Sequence, residues 1–151
     1  MAKATESDTI VIVDDELQDV LWMADYFDAN GYFAEFASNV NEATDLVDKA
    51  IYRALVVDLQ VPVLEPLEAA VRDLGPLYVR FPGLFVARRA RSRGYRDRQV
   101  VLYTVHADTE VSDEARRLGC TYIRKGRPRE IKAELASILS YDPTEPAENG
   151  E

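Results

Sequence analysis

Five polar residues of this sequence carry groups that together can hold a cation and a phosphoryl group. Asp14, Asp15 and Asp58 supply carboxylates, Thr104 supplies a hydroxyl and Lys125 supplies an ammonium. Clustered carboxylates repel one another unless a cation lies among them, and oxygen ligands with room for water suit Mg²⁺. A metal, a hydroxyl and an ammonium can hold the oxygens of a phosphoryl group, and a carboxylate beside them can be the nucleophile.

All five residues lie at the ends of stretches with strand character. Apolar and β-branched runs predict strands at 9–13, 54–57, 100–103 and 121–124, with a weaker strand at 33–37. Apolar residues at helical spacing predict helices at 16–30, 39–50, 84–92 and 128–139, and another that ends at Leu118 and Gly119. This alternation predicts an α/β fold with a parallel sheet covered on both faces.

Such a sheet brings the five residues together, because ligands of parallel α/β sheets bind outside the carboxyl ends of the strands. Asp14 and Asp15 alone are equally well explained as caps of the helix that follows. The groups at the other strand ends favour a shared site instead. The sequence therefore predicts phosphoryl chemistry assisted by Mg²⁺ at this edge of the sheet.

The composition is that of one acidic globular domain. A length of 151 residues suits a single domain, and 47% of the residues are hydrophobic. The formal net charge of −9 makes the protein a poor general binder of nucleic acid or anionic membranes. The lone Cys120 excludes an intrachain disulfide, and the sequence has no apolar stretch typical of a signal peptide or membrane span. We therefore expect a cytoplasmic protein.

One short stretch of this acidic chain is basic. It contains six arginines: Arg88, Arg89, Arg91, Arg93, Arg96 and Arg98. The solvated face and end of a helix is the favoured interpretation, and a surface for an anionic partner is the alternative.

Four motifs, IVIVDDE, LVVDLQVP, VLYT and TYIRKG, occur along the chain at the predicted strand ends. As a group they resemble the receiver domain of two-component response regulators, over residues 8–140. The resemblance implies the flavodoxin-like (CheY-like) fold, a five-stranded parallel sheet in the order 2-1-3-4-5 with helices on both faces. Residues 141–151 are polar and rich in proline, and predict a disordered acidic tail.

The resemblance implies roles for the acidic residues. Asp58 corresponds to the phosphoacceptor. Asp14 and Asp15 correspond to residues that hold Mg²⁺, Asp15 directly and Asp14 partly through water. Asp58 and the backbone carbonyl of Gln60 complete the implied ligands of the metal.

The resemblance also implies roles for three residues of the last two strands. Thr104 and Lys125 correspond to the residues that contact the phosphoryl oxygens. Tyr122, three positions before Lys125, corresponds to an aromatic residue that responds to phosphorylation together with Thr104. The alternative for Tyr122 is a plain strand aromatic packed against the helices.

The function that the resemblance implies is a signalling switch. A phosphoryl group would pass to Asp58 from a histidine kinase or a histidine phosphotransfer protein, and its loss to water would reset the switch. Phosphorylation would shift the surface formed by the fifth strand and the helices on either side of it. The protein would catalyse only its own phosphorylation and dephosphorylation, and would not otherwise be an enzyme.

Two alternatives belong to other classes. A receiver-like module that signals by binding alone has no need of three clustered carboxylates, which favours the switch. A metal-dependent phosphohydrolase needs a second acid two residues beyond Asp58, where this chain has Gln60. The short stretch after Lys125 leaves no room for a DNA-binding domain, so we expect a stand-alone receiver that contacts an unknown downstream protein. A homodimer is left open.

The chain departs from the receiver pattern beside the predicted site. Gly126 follows Lys125 where the family usually has proline, so a cis peptide there loses its main chemical reason. Val105 follows Thr104 where a small residue is usual, and its side chain is expected to narrow the approach. His106 comes next, and we favour an exposed loop histidine over one that contacts the phosphoryl group or an attacking water.

The largest departure is the long stretch between Asp58 and Thr104, since a crossover needs only about a dozen residues or more. Matching Pro62 and Gly83 to the family's proline and glycine makes residues 63–82 an insertion, here called the 63–82 segment. An apolar pattern within it predicts one short helix, closed by Gly75 and Pro76, from Leu67, Ala70, Val71 and Leu74. We expect the segment either to pack over the domain as a lid or to dock a partner or second copy, and we hypothesise that it modulates access to Asp58.

Overall fold

Five parallel strands form one sheet in the computed structural model, which describes residues 4–96, 99–105, 108–125 and 128–140. The strands are β1 Ala4–Val13, β2 Phe33–Ala37, β3 Ala50–Asp58, β4 Val100–Thr104 and β5 Thr121–Arg124. Their order across the sheet is β2-β1-β3-β4-β5, and every neighbouring pair is parallel. The predicted fold is therefore confirmed.

Seven α-helices lie in the described ranges: α1 Leu21–Ala29, α2 Val40–Lys49, α3 Glu68–Asp73, α4 Pro76–Arg80, α5 Gly83–Ser92, α6 Thr109–Leu118 and α7 Pro128–Leu139. The prediction of one continuous helix over 16–30 is wrong at its start. A 3-10 turn at Leu17–Val20 precedes α1, and Glu16 gives that turn no side-chain cap.

Side chains of the central strands alternate between two cores, as the pleat of a strand requires. One core lies against α2, α5, α6 and the 63–82 segment, and its strand residues include Val11, Val13, Leu55 and Val57. The other lies against α1 and α7, and its strand residues include Ile10, Ile12, Ala54 and Val56. Because both faces are covered, the strands read as continuous apolar runs in the sequence.

The central strand β3 begins four residues before its predicted start. Its first part pairs with β1, where Ala4 is opposite Ala50. On the other side β4 pairs with β3 only from Leu55 onward. The first part of β3 is hydrogen-bonded to a side chain on that side. The Tyr95 hydroxyl donates to the Ala50 carbonyl at 2.7 Å and accepts from the Tyr52 amide at 2.9 Å. These contacts satisfy backbone groups that would otherwise be buried without partners.

The 63–82 segment contains two short helices, where the sequence predicted one. Gly75 adopts a φ of 106° after α3, and Pro76 then opens α4 instead of closing the structure. Proline suits this position, because the first helical residue needs no backbone N–H donor. Asn41 of α2 holds the start of the segment, since its side chain accepts from the Leu64 amide at 2.8 Å and donates to the Leu64 carbonyl at 3.1 Å.

The end of the segment returns the chain to the end of β3 through Gly83. The Gly83 amide donates to the Leu59 carbonyl at 2.9 Å. A Cβ atom at Gly83 would lie 2.4 Å from the Asp58 carbonyl oxygen and 2.7 Å from Leu59 Cα. Only glycine allows two backbones to approach so closely, which agrees with the match of Gly83 to the family's glycine.

Several of the clustered arginines bind within the domain. Arg89 and Arg93 both bind the Asp48 carboxylate of α2, with contacts of 2.8 to 3.0 Å. Arg91 donates to the backbone carbonyls of Leu118 and Tyr95, at 2.8 and 2.6 Å. These contacts join α5 to its neighbouring elements and explain much of the basic stretch without an anionic partner.

Candidate functional site

The register of the sheet brings the predicted site residues to one edge. Val13 is opposite Val57, so Asp14 and Asp58 follow on neighbouring strands. Thr104 is opposite Arg124, and Lys125 follows directly. Carboxylate oxygens of Asp14, Asp15 and Asp58 lie within 4.8 Å of one another. We call Asp14, Asp15, Asp58, Thr104 and Lys125 the strand-end site.

Asp14 is the most buried carboxylate of this site, with 1% of its surface exposed. Its Oδ1 accepts a hydrogen bond from the Glu16 amide at 2.8 Å, whereas its buried Oδ2 accepts none from any described residue. Burial is the main cause that raises the pKa of Asp14, and the nearby charges of Asp58 and Asp15 raise it further. The Glu16 amide and Lys125 oppose that rise. The charged form of Asp14 is thus poorly stabilised by the protein itself.

Lys125 supplies the cationic group that faces these carboxylates. Its Nζ lies 3.3 Å from Asp58 Oδ2 and 3.6 Å from Asp14 Oδ2. Burial lowers the pKa of Lys125, but Asp58 and Asp14 outweigh it and hold that pKa above its ordinary value. The ammonium therefore remains charged at neutral pH.

Tyr103 lies beneath this ammonium and was missed by the sequence analysis. Lys125 Nζ is 5.0 Å from the centre of the Tyr103 ring, within the range of a cation–π interaction. Tyr103 is opposite Asp58 in the sheet and is nearly buried. Its position directly before Thr104, at the end of a predicted strand, was the available signal.

Thr104 and Gln60 complete the surroundings of Asp58. Thr104 is buried, with 1% of its surface exposed, and the Gln60 amide donates to Asp58 Oδ1 at 3.0 Å. A cavity of about 230 Å³ opens at this place, lined by Asp14, Asp15, Glu16, Asp19, Asp58, Gln60, Thr104, Val105 and Lys125. Glu16 and Asp19 add two carboxylates to those that the sequence predicted, and Val105 lies with 59% of its surface exposed.

The residues at this cavity fit a hard divalent cation. Three carboxylates converge on one place, and a buried Asp14 oxygen accepts no hydrogen bond from the residues that the structure describes. Mg²⁺ takes oxygen ligands and keeps several of its waters, which an open cavity of this size allows. Among the described residues that line the cavity, Lys125 supplies one positive charge against five carboxylates.

Two other predicted features lie away from this cavity. Tyr122 of β5 is half-buried and does not line it; Tyr122 lines two surface grooves, one beside α6 and one beside α7. Burial raises the pKa of Tyr122. None of residues 63–82, all of which the structure describes, lines the cavity, so the hypothesis of controlled access to Asp58 finds no direct contact to support it.

Several sequence-based expectations concern residues outside the described ranges. His106 and Gly126 are among them, so the interpretation of the histidine and the question of the Lys125–Gly126 peptide stay where the sequence analysis left them. The predicted tail at 141–151 is also outside those ranges.

Comparison with known proteins gives a consistent result at the level of the fold. No family model matches the chain, and no curated protein matches its sequence. Solved structures of receiver domains do match. The non-phosphorylated HemR receiver domain of Leptospira biflexa is 19% identical, with a TM-score of 0.70, and the match covers 92% of this chain and 98% of that domain.

Two further structures give similar values. A CheY-like response regulator receiver domain protein of Methanospirillum hungatei is 20% identical, with a TM-score of 0.67, over 88% of this chain and 94% of that one. The third is the receiver domain of a Pseudomonas aeruginosa sensor histidine kinase, with magnesium coordinated in its active site cleft. It is 17% identical, with a TM-score of 0.65, and the match covers 89% of this chain and 99% of that domain. At these identities the likeness shows the fold, and the chain has the fold of CheY-like response regulator receiver domains.

Within the described parts of the chain, no helix has the length and apolar character needed to cross a bilayer.

Proposed function

We propose that this protein is a phosphorylation-dependent signalling switch of a two-component or phosphorelay system. Asp58 accepts the phosphoryl group, and the donor is a phosphohistidine of a histidine kinase or a histidine phosphotransfer protein. The observation that supports this most strongly is the placement of Lys125, 3.3 Å from Asp58 and 3.6 Å from Asp14, beside three converging carboxylates.

The proposed reaction is an in-line displacement at phosphorus. An Asp58 carboxylate oxygen forms the new bond to phosphorus, and the bond from phosphorus to the donor's imidazole nitrogen breaks and leaves its electron pair on that nitrogen. Lys125 Nζ neutralises charge on the transferred group, and the Thr104 hydroxyl donates a hydrogen bond to it. Mg²⁺ bound by Asp14, Asp15, Asp58 and the Gln60 carbonyl would reduce the repulsion between the carboxylates and the phosphoryl oxygens.

The reset step is hydrolysis of the aspartyl phosphate. Water attacks phosphorus, the bond to Asp58 breaks, and the carboxylate and inorganic phosphate are released. The chain thus acts on its own Asp58 only, which makes the protein a switch and not an enzyme for other substrates. Its output is contact with a downstream protein, through a surface that the new charge at Asp58 shifts.

Mass spectrometry of the intact protein tests this function. We expect incubation with acetyl phosphate and Mg²⁺ to add one phosphoryl mass, and we expect Asp58→Asn to remove that addition completely. Asp73→Asn is the matched control, because Asp73 is an exposed aspartate on α3 that does not line the cavity. Omission of Mg²⁺ is expected to suppress the addition as well.

The alternative is a receiver-like module that binds its partner without phosphorylation. The exposed Val105 at the cavity wall, where receivers usually have a small residue, favours this alternative. Failure of acetyl phosphate and of histidine kinases to add a phosphoryl mass would replace the switch with the binding module. In a Val105→Ala variant, the switch predicts faster phosphorylation and the binding module predicts none.

A further inference from the structure

Two side chains of α4 reach the helix that follows Thr104. The Tyr78 hydroxyl donates a buried hydrogen bond to the Glu114 carboxylate in the middle of α6. Arg80 Nη2 lies 2.9 Å from Asp108 Oδ2. Asp108 is also the N-cap of α6, since its Oδ1 accepts from the Glu110 amide at 2.9 Å. The 63–82 segment therefore holds α6 at both its start and its middle.

The contact between Tyr78 and Glu114 joins a neutral donor to an ionised acceptor. Hydrogen bonds from Arg117, at 2.8 and 2.5 Å, hold the pKa of Glu114 below its ordinary value, against the effect of burial. Burial and Glu114 raise the pKa of Tyr78 to about 12, while Arg88 opposes the rise. A hydrogen bond to a charged group is stronger than a neutral one, and loss of its donor leaves a buried carboxylate less well satisfied.

A groove of about 300 Å³ lies between α6 and β5, lined by Asp108, Thr109, Ser112, Tyr122 and Arg124. The helix is thus joined to α4 by two polar side-chain contacts, and a groove lies on its β5 side. The N-cap of α6, Asp108, follows Thr104 by four residues. Because this connection is short, a movement of Thr104 is expected to move α6 as well.

We propose that α4 is a clamp on α6, in which Tyr78 and Arg80 act as positioning residues that keep α6 in the arrangement of this structure. The clamp stabilises the position of α6 in this structure relative to the shifted position that α6 would take in the active switch. It therefore reduces the fraction of molecules that shift, both before and after phosphorylation. The regulatory part of this inference rests on the proposed function, which makes α6 part of the responding surface.

Hydrogen exchange in α6, measured on the full chain without any phosphodonor, tests the clamp itself. Tyr78→Phe keeps the buried ring and removes the hydroxyl, and we expect about tenfold faster exchange at residues 109–118. Arg80→Gln is expected to have a smaller effect, because the Arg80 side chain is 54% exposed. Arg72→Gln is the matched control: Arg72 pairs with Glu68 within α3, and its loss is expected to leave α6 unchanged.

A double variant separates the hydrogen bond from general loosening. If Tyr78 acts through Glu114, Tyr78→Phe adds little exchange to that of Glu114→Ala, which removes the acceptor. Exchange at 109–118 that is equal in wild type, Tyr78→Phe and Arg80→Gln would overturn the clamp. Full additivity of Tyr78→Phe and Glu114→Ala would overturn it as well.

The regulatory part is tested with acetyl phosphate and Mg²⁺. At equal phosphoryl occupancy, measured by mass, we expect the change in α6 exchange to be larger in Tyr78→Phe than in wild type. An identical change in the two proteins overturns the regulatory role. Absence of any phosphoryl mass contradicts the proposed function alone, because the first experiment contains no donor and judges the clamp independently.

Discussion

The strand-end site and the contact between α4 and α6 each bury a carboxylate, with opposite effects on its pKa. Burial raises the pKa of Asp14, and the charges of Asp58 and Asp15 add to the rise. Hydrogen bonds from Arg117 and Tyr78 lower the pKa of Glu114 in spite of burial. Lys125 thus compensates the charge of Asp14 only in part, whereas the charge of Glu114 is well stabilised by partners within the protein.

This difference distinguishes a site suited to bind a cation from a contact that holds two helices together. Groups at functional sites are commonly left in unfavourable surroundings, and the rest of the fold supplies the stability. The strand-end site collects its residues from four distant parts of the chain, through the order of the strands. The clamp joins one short segment to one neighbouring helix, and its polar atoms satisfy one another.

The largest effect is expected where the two regions meet, at Gly83. A Cβ atom in Gly83→Ala would overlap the backbone of Asp58 and Leu59, at 2.4 and 2.7 Å. We expect a loss of about 3 kcal/mol in the free energy of unfolding, measured by urea denaturation. Gly31→Ala is the control, because Gly31 has a φ of 86° and no atom near its Cβ position. Its backbone strain costs only about 1 kcal/mol. Equal losses of unfolding free energy in the two variants would show that the backbone around Gly83 moves to accommodate a Cβ atom.

A smaller effect of opposite sign is expected at Asp14. Without metal, Asp14→Asn removes a poorly stabilised buried charge, so we expect a gain of about 1 kcal/mol in the free energy of unfolding. Addition of Mg²⁺ is expected to raise the melting temperature of the wild type and to leave that of the variant nearly unchanged. The control Asp73→Asn alters an exposed carboxylate on α3 and is expected to match the wild type in both conditions. Destabilisation by Asp14→Asn without metal would contradict the view that this carboxylate awaits a cation.

The sequence predicts that the five strand-end residues lie together, since each strand end carries its own polar residue after an apolar run, and the structure places them at one cavity. Parallel topology then brings those residues together, whatever their separation along the chain. Tyr103 and Asp19 were missed because their contribution depends on the register of the strands and on the 3-10 turn before α1. The sequence pattern predicts neither the strand register nor this turn.

The 63–82 segment was predicted less well, and its local signals explain why. Gly75 and Pro76 were interpreted as the end of a helix, yet the same pair also opens the next one, α4. Tyr78 and Glu114 are 36 positions apart, and their contact depends on how α4 packs against α6. The apolar pattern indicated that the segment buries a face, but no pattern indicated which neighbour covers it.

The smallest effect is the dependence of stability on pH, which compares the two carboxylates directly. The native pKa of Glu114 lies below its ordinary value of 4.5, so its contribution to stability is complete above about pH 4.5 and is lost as the pH falls through the native pKa. The native pKa of Asp14 lies above 3.8, so its contribution is most favourable below that value and is lost as the pH rises through the native pKa.

Denaturation of wild type, Glu114→Gln and Asp14→Asn between about pH 3 and pH 7 measures both contributions. At neutral pH the wild type is expected to be more stable than Glu114→Gln and less stable than Asp14→Asn, and both differences are expected to shrink in acid. The Glu114 difference is expected to stay below about 1 kcal/mol, because Arg117 is largely solvated. If both variants are more stable than the wild type, or both less stable, the contrast between Asp14 and Glu114 is wrong. Such a result would mean that the protein stabilises the charge of both carboxylates or of neither.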